Sequence, residues 1–254
     1  MSLQAMGDTA YLITLSGKMD AAMLARVRAL AASLAADRIA GITEIVPAYA
    51  SVGVVYEPER VRTSHGELPW HAVAEWLEKH LAGKGLATKP AAAREHVVPV
   101  CYGGEYGPDL DVVSKAAKRS ADEVVKKHTG ASYVVAAIGF TPGFPYLLGL
   151  PDVLATPRRA TPRLRVPAGS VGIGGAQTGI YPRETPGGWQ LIGRTGLELF
   201  DPTRELPASF AAGDRVKFKA VDKYTAPRIT STGTNGDRRE APAGGGLIEV
   251  IKPG

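Results

Sequence analysis

The chain has 254 residues and a net charge of +5, and 44% of its residues are hydrophobic and 22% charged. These proportions are typical of a soluble globular protein, and the length favours two domains over one. No apolar run reaches the roughly 20 residues that a membrane helix needs, and the basic residues are interspersed with acids, which argues against a nucleic-acid-binding protein. Because the start lacks a signal-peptide pattern and the one cysteine has no partner in the chain, we expect a cytoplasmic protein.

Residues 1–82 have the pattern of a small α+β domain. Residues 11–15 form an apolar run typical of a strand, and Asp20 is placed to cap a following helix. Residues 42–56 are rich in Ile and Val, which predicts strands separated by a turn or bulge at Pro47. Apolar residues at helical spacing indicate two amphipathic helices, the first through Met23, Leu24, Val27, Leu30 and Leu34 and the second through Trp70, Val73, Leu77 and Leu81.

A second domain is predicted over residues 95–224, after an interdomain linker at residues 83–94 that is rich in small and helix-breaking residues. Ser120 and Glu123 form the S-x-x-E pattern that caps a helix. Short apolar runs bounded by Gly, Pro or Asp are typical of a β-barrel or sandwich. These predicted strands are residues 96–102, 133–138, 171–173, 190–192, 198–200 and 216–218.

The end of the chain changes composition. Residues 225–246 consist mainly of Thr, Gly, Pro, Asn and Arg, which predicts a flexible linker because little of this segment could enter a core. Residues 247–251 are apolar and β-prone again, so residues 247–254 indicate the beginning of a further structured segment.

The segment 139–195 carries the strongest functional signal. It is rich in Gly and Pro, yet many apolar residues are interleaved, so we expect ordered loops. It also contains no lysine, although six arginines occur in it: Arg158, Arg159, Arg163, Arg165, Arg183 and Arg194. Because guanidinium groups bind carboxylates and phosphates in a bidentate manner, this bias indicates an acidic ligand or partner; for any one arginine, bracing a loop is the alternative.

Three long motifs in this segment resemble one family. They are GFTPGFPYLLGLP at residues 139–151, TPRLRVPAGSVGIGGAQTGIYP at residues 161–182 and TPGGWQLIGRT at residues 185–195. Together with CYGGEYGPDL at residues 101–110 and AGDRVKF at residues 212–218, they resemble the B-type component of 5-oxoprolinase. This family is also called allophanate hydrolase subunit 1, and it includes the KipI-type inhibitors of a sporulation histidine kinase.

The resemblance implies an α+β fold class, with a small α+β N-terminal domain followed by a cyclophilin-like β-barrel. It also implies ATP-dependent opening of 5-oxo-L-proline to glutamate, with ATP, and its Mg²⁺, shared with an A-type and a C-type partner subunit. No tightly bound cofactor is expected. The sequence GLIEVIKPG at residues 246–254, which includes the segment 247–254, resembles the opening strand of a C-type subunit. This resemblance implies a fused partner that is tethered by the linker.

Several motifs that carry chemistry in other proteins are incomplete in this sequence. Residues 174–179 satisfy G-x-x-x-x-G, but Ile180 and Tyr181 stand where a phosphate-binding loop needs Lys and Ser or Thr. The dinucleotide fingerprint and the serine nucleophile elbow each lack a glycine. The five histidines and the single cysteine have no metal-ligand spacing, so no metal site is expected.

The candidate site residues therefore come from the segment 139–195 and from one histidine. Arg163 and Arg194 are candidates for binding anionic groups, while Gly174 and Gly175 are candidates for offering backbone N–H groups. Gln177 could bind an amide or carboxylate, and Tyr181 could form a polar aromatic wall. His128 is a candidate base, with a packing role as the alternative. For Trp189 and Phe144 we expect core or lid packing.

Three functions remain open from the sequence. The first is a subunit of the ATP-dependent oxoprolinase, acting on a small acidic or amide substrate. The second is a binding module that inhibits a histidine kinase, and the third is a subunit in urea or allophanate metabolism. A fused C-type partner would favour catalysis over free inhibition.

Overall fold

In the computed structural model, which describes residues 1–17, 20–64, 66–82 and 93–225, the first part of the chain is an antiparallel sheet covered by helices. The sheet has the strand order β1-β2-β4-β3. Its strands are β1 (Ser2–Ala5), β2 (Ala10–Thr14), β3 (Ile42–Ala48) and β4 (Ser51–Tyr56). The helices are α1 (Ala21–Ala36) and α2 (Pro69–Ala82).

Both predicted helices of this part are confirmed. Asp20 caps α1 with its carboxylate, which accepts a hydrogen bond from the Met23 backbone N–H at 2.9 Å. The apolar stripe of α1 is buried against the sheet, and α2 contributes Val73, Trp76 and Leu77 to the same core. Trp70 at the start of α2 is instead 43% exposed, because it lies on the first turn.

The predicted break at Pro47 is wrong. Pro47 lies within β3 and pairs with Val52 across the hairpin, and the turn between the strands falls at Tyr49 and Ala50. β3 is the outer strand of the sheet, so a residue without an N–H is tolerated on its unpaired side. The irregularity in the β3–β4 pairing lies at the other end, between Ile42 and Glu44.

The second part is a closed seven-stranded barrel in the order β10-β7-β6-β13-β5-β12-β9, and it confirms the predicted α+β fold with a cyclophilin-like barrel. The barrel strands are β5 (Glu95–Tyr102), β6 (Tyr133–Ile138), β7 (Pro145–Leu148), β9 (Ser170–Gly174), β10 (Gln177–Ile180), β12 (Gln190–Arg194) and β13 (Arg215–Ala220). A separate hairpin pairs β8 (Arg163–Val166) with β11 (Thr185–Gly187).

Two helices pack against the barrel. α4 (Ala121–Gly130) begins with the predicted capping box, in which the Glu123 backbone N–H donates to the Ser120 hydroxyl and the Ser120 backbone N–H donates to the Glu123 carboxylate. α3 (Leu110–Ala117) was not predicted, although Leu110, Val113 and Ala117 have helical spacing and are buried. Both helices bury apolar residues in the barrel's core cluster.

The Gly- and Pro-rich segment contains more strand than expected. Strands β7 to β12 all lie in it, and four of them complete the barrel, so many of its breakers terminate short strands. The strand predicted at residues 198–200 is absent, because only Phe200 forms an isolated bridge, with Ala208. The predicted 83–94 linker lies outside the described residues except for its last two positions, as do the predicted 225–246 linker beyond residue 225 and residues 247–254.

No helix among the described residues is long and apolar enough to cross a membrane.

Candidate functional site

An aromatic cleft of about 310 Å³ opens at the end of the barrel where β12 begins. Phe144 and Trp189 form its buried floor, and their ring centroids lie 5.5 Å apart in an edge-to-face arrangement. Phe140 stands at its rim with 63% of its surface exposed and a positive φ of 66°. The complete lining is Phe140, Phe144, Tyr146, Arg158, Arg159, Pro162, Tyr181, Pro186, Gly187, Gly188 and Trp189.

Arg158 is the cation of this cleft. Its guanidinium carbon lies 5.8 Å from the centroid of the Trp189 ring, within the range of a cation–π contact. Within the described part of the chain, no carboxylate pairs with Arg158. A cation that is held by an aromatic face and has no counter-ion is suited to bind an anionic group.

Tyr146 and Tyr181 line the cleft together with Arg158, and the ring of Tyr49 packs on that of Tyr146. Burial raises the pKa of each of these phenols above its usual value, so all three are protonated and can donate hydrogen bonds at neutral pH. The positive charge of Arg158 opposes this rise in the pKa of every one of them. The cleft therefore combines an arginine that has no carboxylate partner in the described structure with several neutral donors.

Close backbone packing shapes the walls. A Cβ at Gly174 would lie 2.5 Å from the Trp189 indole, and a Cβ at Gly187 would lie 2.5 Å from the Tyr181 hydroxyl oxygen. Only glycine fits at these two positions without moving the ring behind it. Gly174 lies opposite Gln177 in the β9–β10 hairpin, and its role as a donor of a backbone N–H stays a prediction.

Asp109 anchors the arginines on one side of the cleft. This buried carboxylate accepts hydrogen bonds from Arg163 Nη2 at 2.7 Å and from Arg159 Nη1 at 3.3 Å through Oδ1. Its Oδ2 accepts from the Leu191 backbone N–H at 2.7 Å, which ties the cluster to β12. Arg163, predicted as an anion-binding residue, therefore has one end of its guanidinium committed, whereas its Nη1 is buried without a partner in the described structure.

Gln177 links the barrel to the N-terminal part. Its Nε2 donates a hydrogen bond to the Tyr49 hydroxyl at 2.9 Å. Tyr49 also packs its ring against Tyr146, at a centroid distance of 5.8 Å, and its backbone N–H donates to the Ala136 carbonyl of β6 at 3.2 Å. Tyr49, which has a positive φ of 50°, thus brings the tip of the β3–β4 hairpin to the edge of the cleft.

Gly175 and Arg194 do not join this site. The Gly175 N–H donates to the Thr156 carbonyl at 2.8 Å, so it is not available to a ligand. Arg194 stands four residues from Gln190 along β12, about 13 Å at the usual rise of a strand. It donates to the Ala168 carbonyl at 2.7 Å and covers the Tyr224 ring in a second cleft, lined mostly by apolar residues.

His128 lies inside the barrel, away from both clefts. Its Nε2 is 3.1 Å from the Thr178 hydroxyl, which itself donates to the Gly172 carbonyl, so Nε2 carries the proton. Its Nδ1 then accepts from the Tyr102 hydroxyl at 2.8 Å. Complete burial lowers the pKa of His128 to about 3, which keeps it neutral. With no solvent contact and both nitrogens bonded, the geometry favours the packing role over that of a base.

Of the predicted site residues, Tyr181 lines the cleft itself. Three others lie behind it: Gly174 packs against the Trp189 ring, Arg163 shares Asp109 with Arg159, and Gln177 bonds to Tyr49. The sequence pointed to Phe144 and Trp189 only as packing residues, and they are the floor of that cleft. The sequence did not single out three further residues. Arg158 was only one of six arginines, and Asp109 was noted only as part of a family motif. Tyr49 was not considered because it lies in the N-terminal part of the chain. The pair of adjacent arginines at residues 158–159 was the one local signal that could have identified Arg158.

The cleft has the chemistry of a binding site. It contains no serine, cysteine, histidine or carboxylate among its lining residues, so it has no nucleophile paired with a base. The described residues also contain no group of three His, Cys, Asp or Glu side chains that could hold a metal ion. What it offers is a cation, phenol donors and an apolar floor.

Comparison with known proteins places the chain in a family. Residues 1–210 match the family described as the carboxyltransferase domain, subdomain C and D. The chain belongs to this family. It is 41% identical over 225 residues to the B-type component of 5-oxoprolinase from Bacillus subtilis, covering 87% of this chain and 93% of that protein. It is 44% identical over 213 residues to the corresponding 5-oxoprolinase component from Escherichia coli O157:H7, covering 84% of this chain and 92% of that protein.

Solved structures share the fold. The crystal structure of TTHA0988 superposes with a TM-score of 0.71 at 33% identity over 86% of this chain, and this chain spans 41% of that one. The Kluyveromyces lactis urea amidolyase superposes with a TM-score of 0.68 at 19% identity, and this chain spans 15% of it. At that identity the second likeness concerns the fold alone.

Proposed function

We propose that this chain is a subunit of an ATP-dependent 5-oxoprolinase, which converts 5-oxo-L-proline, ATP and water to L-glutamate, ADP and phosphate. The similarity to two proteins named as B-type components of 5-oxoprolinase, each matched over more than nine-tenths of its length, supports this proposal. The observation that carries it in the structure is the cleft around Arg158, where a carboxylate would find a guanidinium and phenol donors beside an apolar floor. 5-Oxoproline is a small ring with one carboxylate and one amide, so its chemistry matches this lining.

In this proposal the chain binds substrate and its partners supply the rest of the chemistry. The segment 174–179 forms the end of a β-hairpin and precedes no helix, so it does not fit the phosphates of ATP. We therefore assign ATP and Mg²⁺ mainly to A-type and C-type subunits, and we expect the chain alone to be inactive. A cytoplasmic location follows from the same proposal, because ATP is a cytoplasmic substrate.

Co-expression with an A-type and a C-type subunit tests the proposal. The complex should form glutamate from 5-oxoproline only when ATP is present, and omission of this chain should abolish the reaction. Allophanate and urea serve as competing substrates in the same assay. Turnover of either of them without turnover of 5-oxoproline would favour the urea-related function instead.

A kinase-inhibiting module is the second candidate. The feature that favours it is Phe140, a large apolar side chain that is mostly exposed at the rim of the cleft and could dock on another protein. Inhibition of a histidine kinase's autophosphorylation by the isolated chain, lost in Phe140→Ala, would support this candidate. The oxoprolinase proposal predicts no such inhibition.

A further inference from the structure

The contact between Tyr49 and Gln177 leaves hydrogen-bonding capacity unused. The Tyr49 hydroxyl accepts from Gln177 Nε2, and no acceptor for its own proton is found among the described residues. Gln177 Oε1 likewise has no donor in the described structure, and both side chains are only partly buried. One free donor and one free acceptor therefore stand side by side at the edge of the cleft.

This pair has the pattern of an amide edge. A cis-amide, as in a lactam ring, presents a carbonyl acceptor and an N–H donor on adjacent atoms. Tyr49 can donate to the carbonyl oxygen while Gln177 Oε1 accepts from the N–H.

The surroundings favour a ligand with a second, anionic group. The positive charge of Arg158 opposes the rise in the pKa of Tyr49. Tyr146 lines the cleft with Arg158, and its ring contacts that of Tyr49. A small ring held by its amide edge at Tyr49 and Gln177 can therefore direct a carboxylate towards Arg158. The phenol of Tyr49 is held in place by its backbone bond to Ala136 and by a strained positive φ, which are features of a preorganised position.

We propose that Tyr49 and Gln177 form a two-point recognition element for the cis-amide of a small cyclic carboxylate, so that the N-terminal domain contributes directly to the substrate site. This inference rests on the proposed function, because it names the residues that would distinguish a lactam from other rings. It assigns both residues to binding, and neither takes part in bond breaking.

Binding measurements on the complex with the A-type and C-type subunits test the proposal without ATP. The probes are 5-oxoproline and its lactone analogue, 5-oxotetrahydrofuran-2-carboxylate, in which a ring oxygen replaces the N–H. The wild-type complex should bind the lactam about tenfold more tightly, since the lactone leaves Gln177 Oε1 unpaired. Tyr49→Phe should weaken both compounds roughly tenfold, because both have the carbonyl group. Gln177→Ala should weaken the lactam only.

Tyr11→Phe is the matched control. It removes a hydroxyl from another tyrosine of the N-terminal domain, one that donates to the Trp70 carbonyl away from the cleft, and it should leave both dissociation constants unchanged. Equal weakening of both compounds in Gln177→Ala, no effect of Tyr49→Phe, or no binding to the wild-type complex would each overturn the inference. If the dissociation constants change as expected but the wild-type complex forms no glutamate with ATP, the inference stands and the proposed function fails.

Discussion

Single residues show how far the type of a side chain can predict its role. A histidine near the end of a helix is a reasonable candidate for a base. His128, however, is enclosed by the barrel, and its two ring nitrogens are hydrogen-bonded to Tyr102 and Thr178. The arginine bias of the segment 139–195 was the better guide. This bias could not show which arginine is free to bind a ligand. Arg163 forms an ion pair with Asp109 and Arg158 has no such partner in the described structure, and this difference depends on the tertiary structure.

The burial of His128 predicts a pH dependence of stability. Its pKa of about 3 in the folded protein lies below the value of about 6.5 for an unfolded chain, so between these values the unfolded state binds a proton that the folded state does not. The contribution to stability is complete above pH 6.5 and is lost as the pH falls towards 3. Chemical unfolding of wild-type protein and His128→Gln should show a smaller slope of unfolding free energy against pH in the variant, by about 1.4 kcal/mol per pH unit between pH 6 and pH 4. Equal slopes in that range would contradict this explanation, and between pH 7 and pH 8 the slopes should coincide.

Arg158 should be the arginine on which substrate binding depends. Replacing it with alanine removes the cation of the cleft, so we expect the kcat/KM of the assembled complex for 5-oxoproline to fall by a factor of about 100, as for the loss of a charge-assisted hydrogen bond. Arg165→Ala is the matched control, because Arg165 lies in the same segment with 82% of its side chain exposed and does not line the cleft. A similar loss in both variants, or in neither, would rule out a specific role for Arg158.

At the scale of elements, periodicity predicted the helices α1, α2 and α4 and the longer strands, but it did not predict α3. α1 and α4 each have an apolar stripe and a capping residue in the sequence, and the structure confirms both features. Within the segment 139–195, the short strands β7, β8, β10 and β11 were missed, because each has only three or four residues. β7 and β10 pair with other strands of the barrel, and β8 pairs with β11. The local sequence pattern does not predict these pairings.

The β9–β10 hairpin gives a prediction at this scale. A methyl group at Gly174 would collide with the Trp189 indole, so Gly174→Ala should displace the ring that forms the floor of the cleft. We expect a loss of about 1 to 3 kcal/mol in the free energy of unfolding and a change in the near-ultraviolet circular dichroism. Gly139→Ala is the control, since nothing lies within 4 Å of its added Cβ, and it should change neither quantity by a comparable amount. Unaltered stability and spectrum in Gly174→Ala would mean that the wall is not as tightly packed as described.

At the scale of the whole molecule, the fold class could be predicted but the composition of the site could not. The alternation of strands and helices indicated an α+β part and a barrel, and the family resemblance named the barrel type. The site, in contrast, joins residues that are far apart in the chain: Gln177 and Tyr49 are separated by 128 positions, and Arg163 and Asp109 by 54. Such pairs become visible only when β12 and the β3–β4 hairpin are placed in space.

Closure of the barrel restricts how a partner protein can attach. Every strand of the ring has a neighbour on both sides, so the barrel, as the described residues form it, has no strand with a wholly unpaired edge. The outer strands β1 and β3 of the N-terminal sheet do have such edges, although Pro47 interrupts the one on β3. A second protein can therefore extend a sheet at an outer strand of the N-terminal sheet or at the β8–β11 hairpin. One that covers the aromatic cleft through loops and side chains can leave again without breaking a strand ladder.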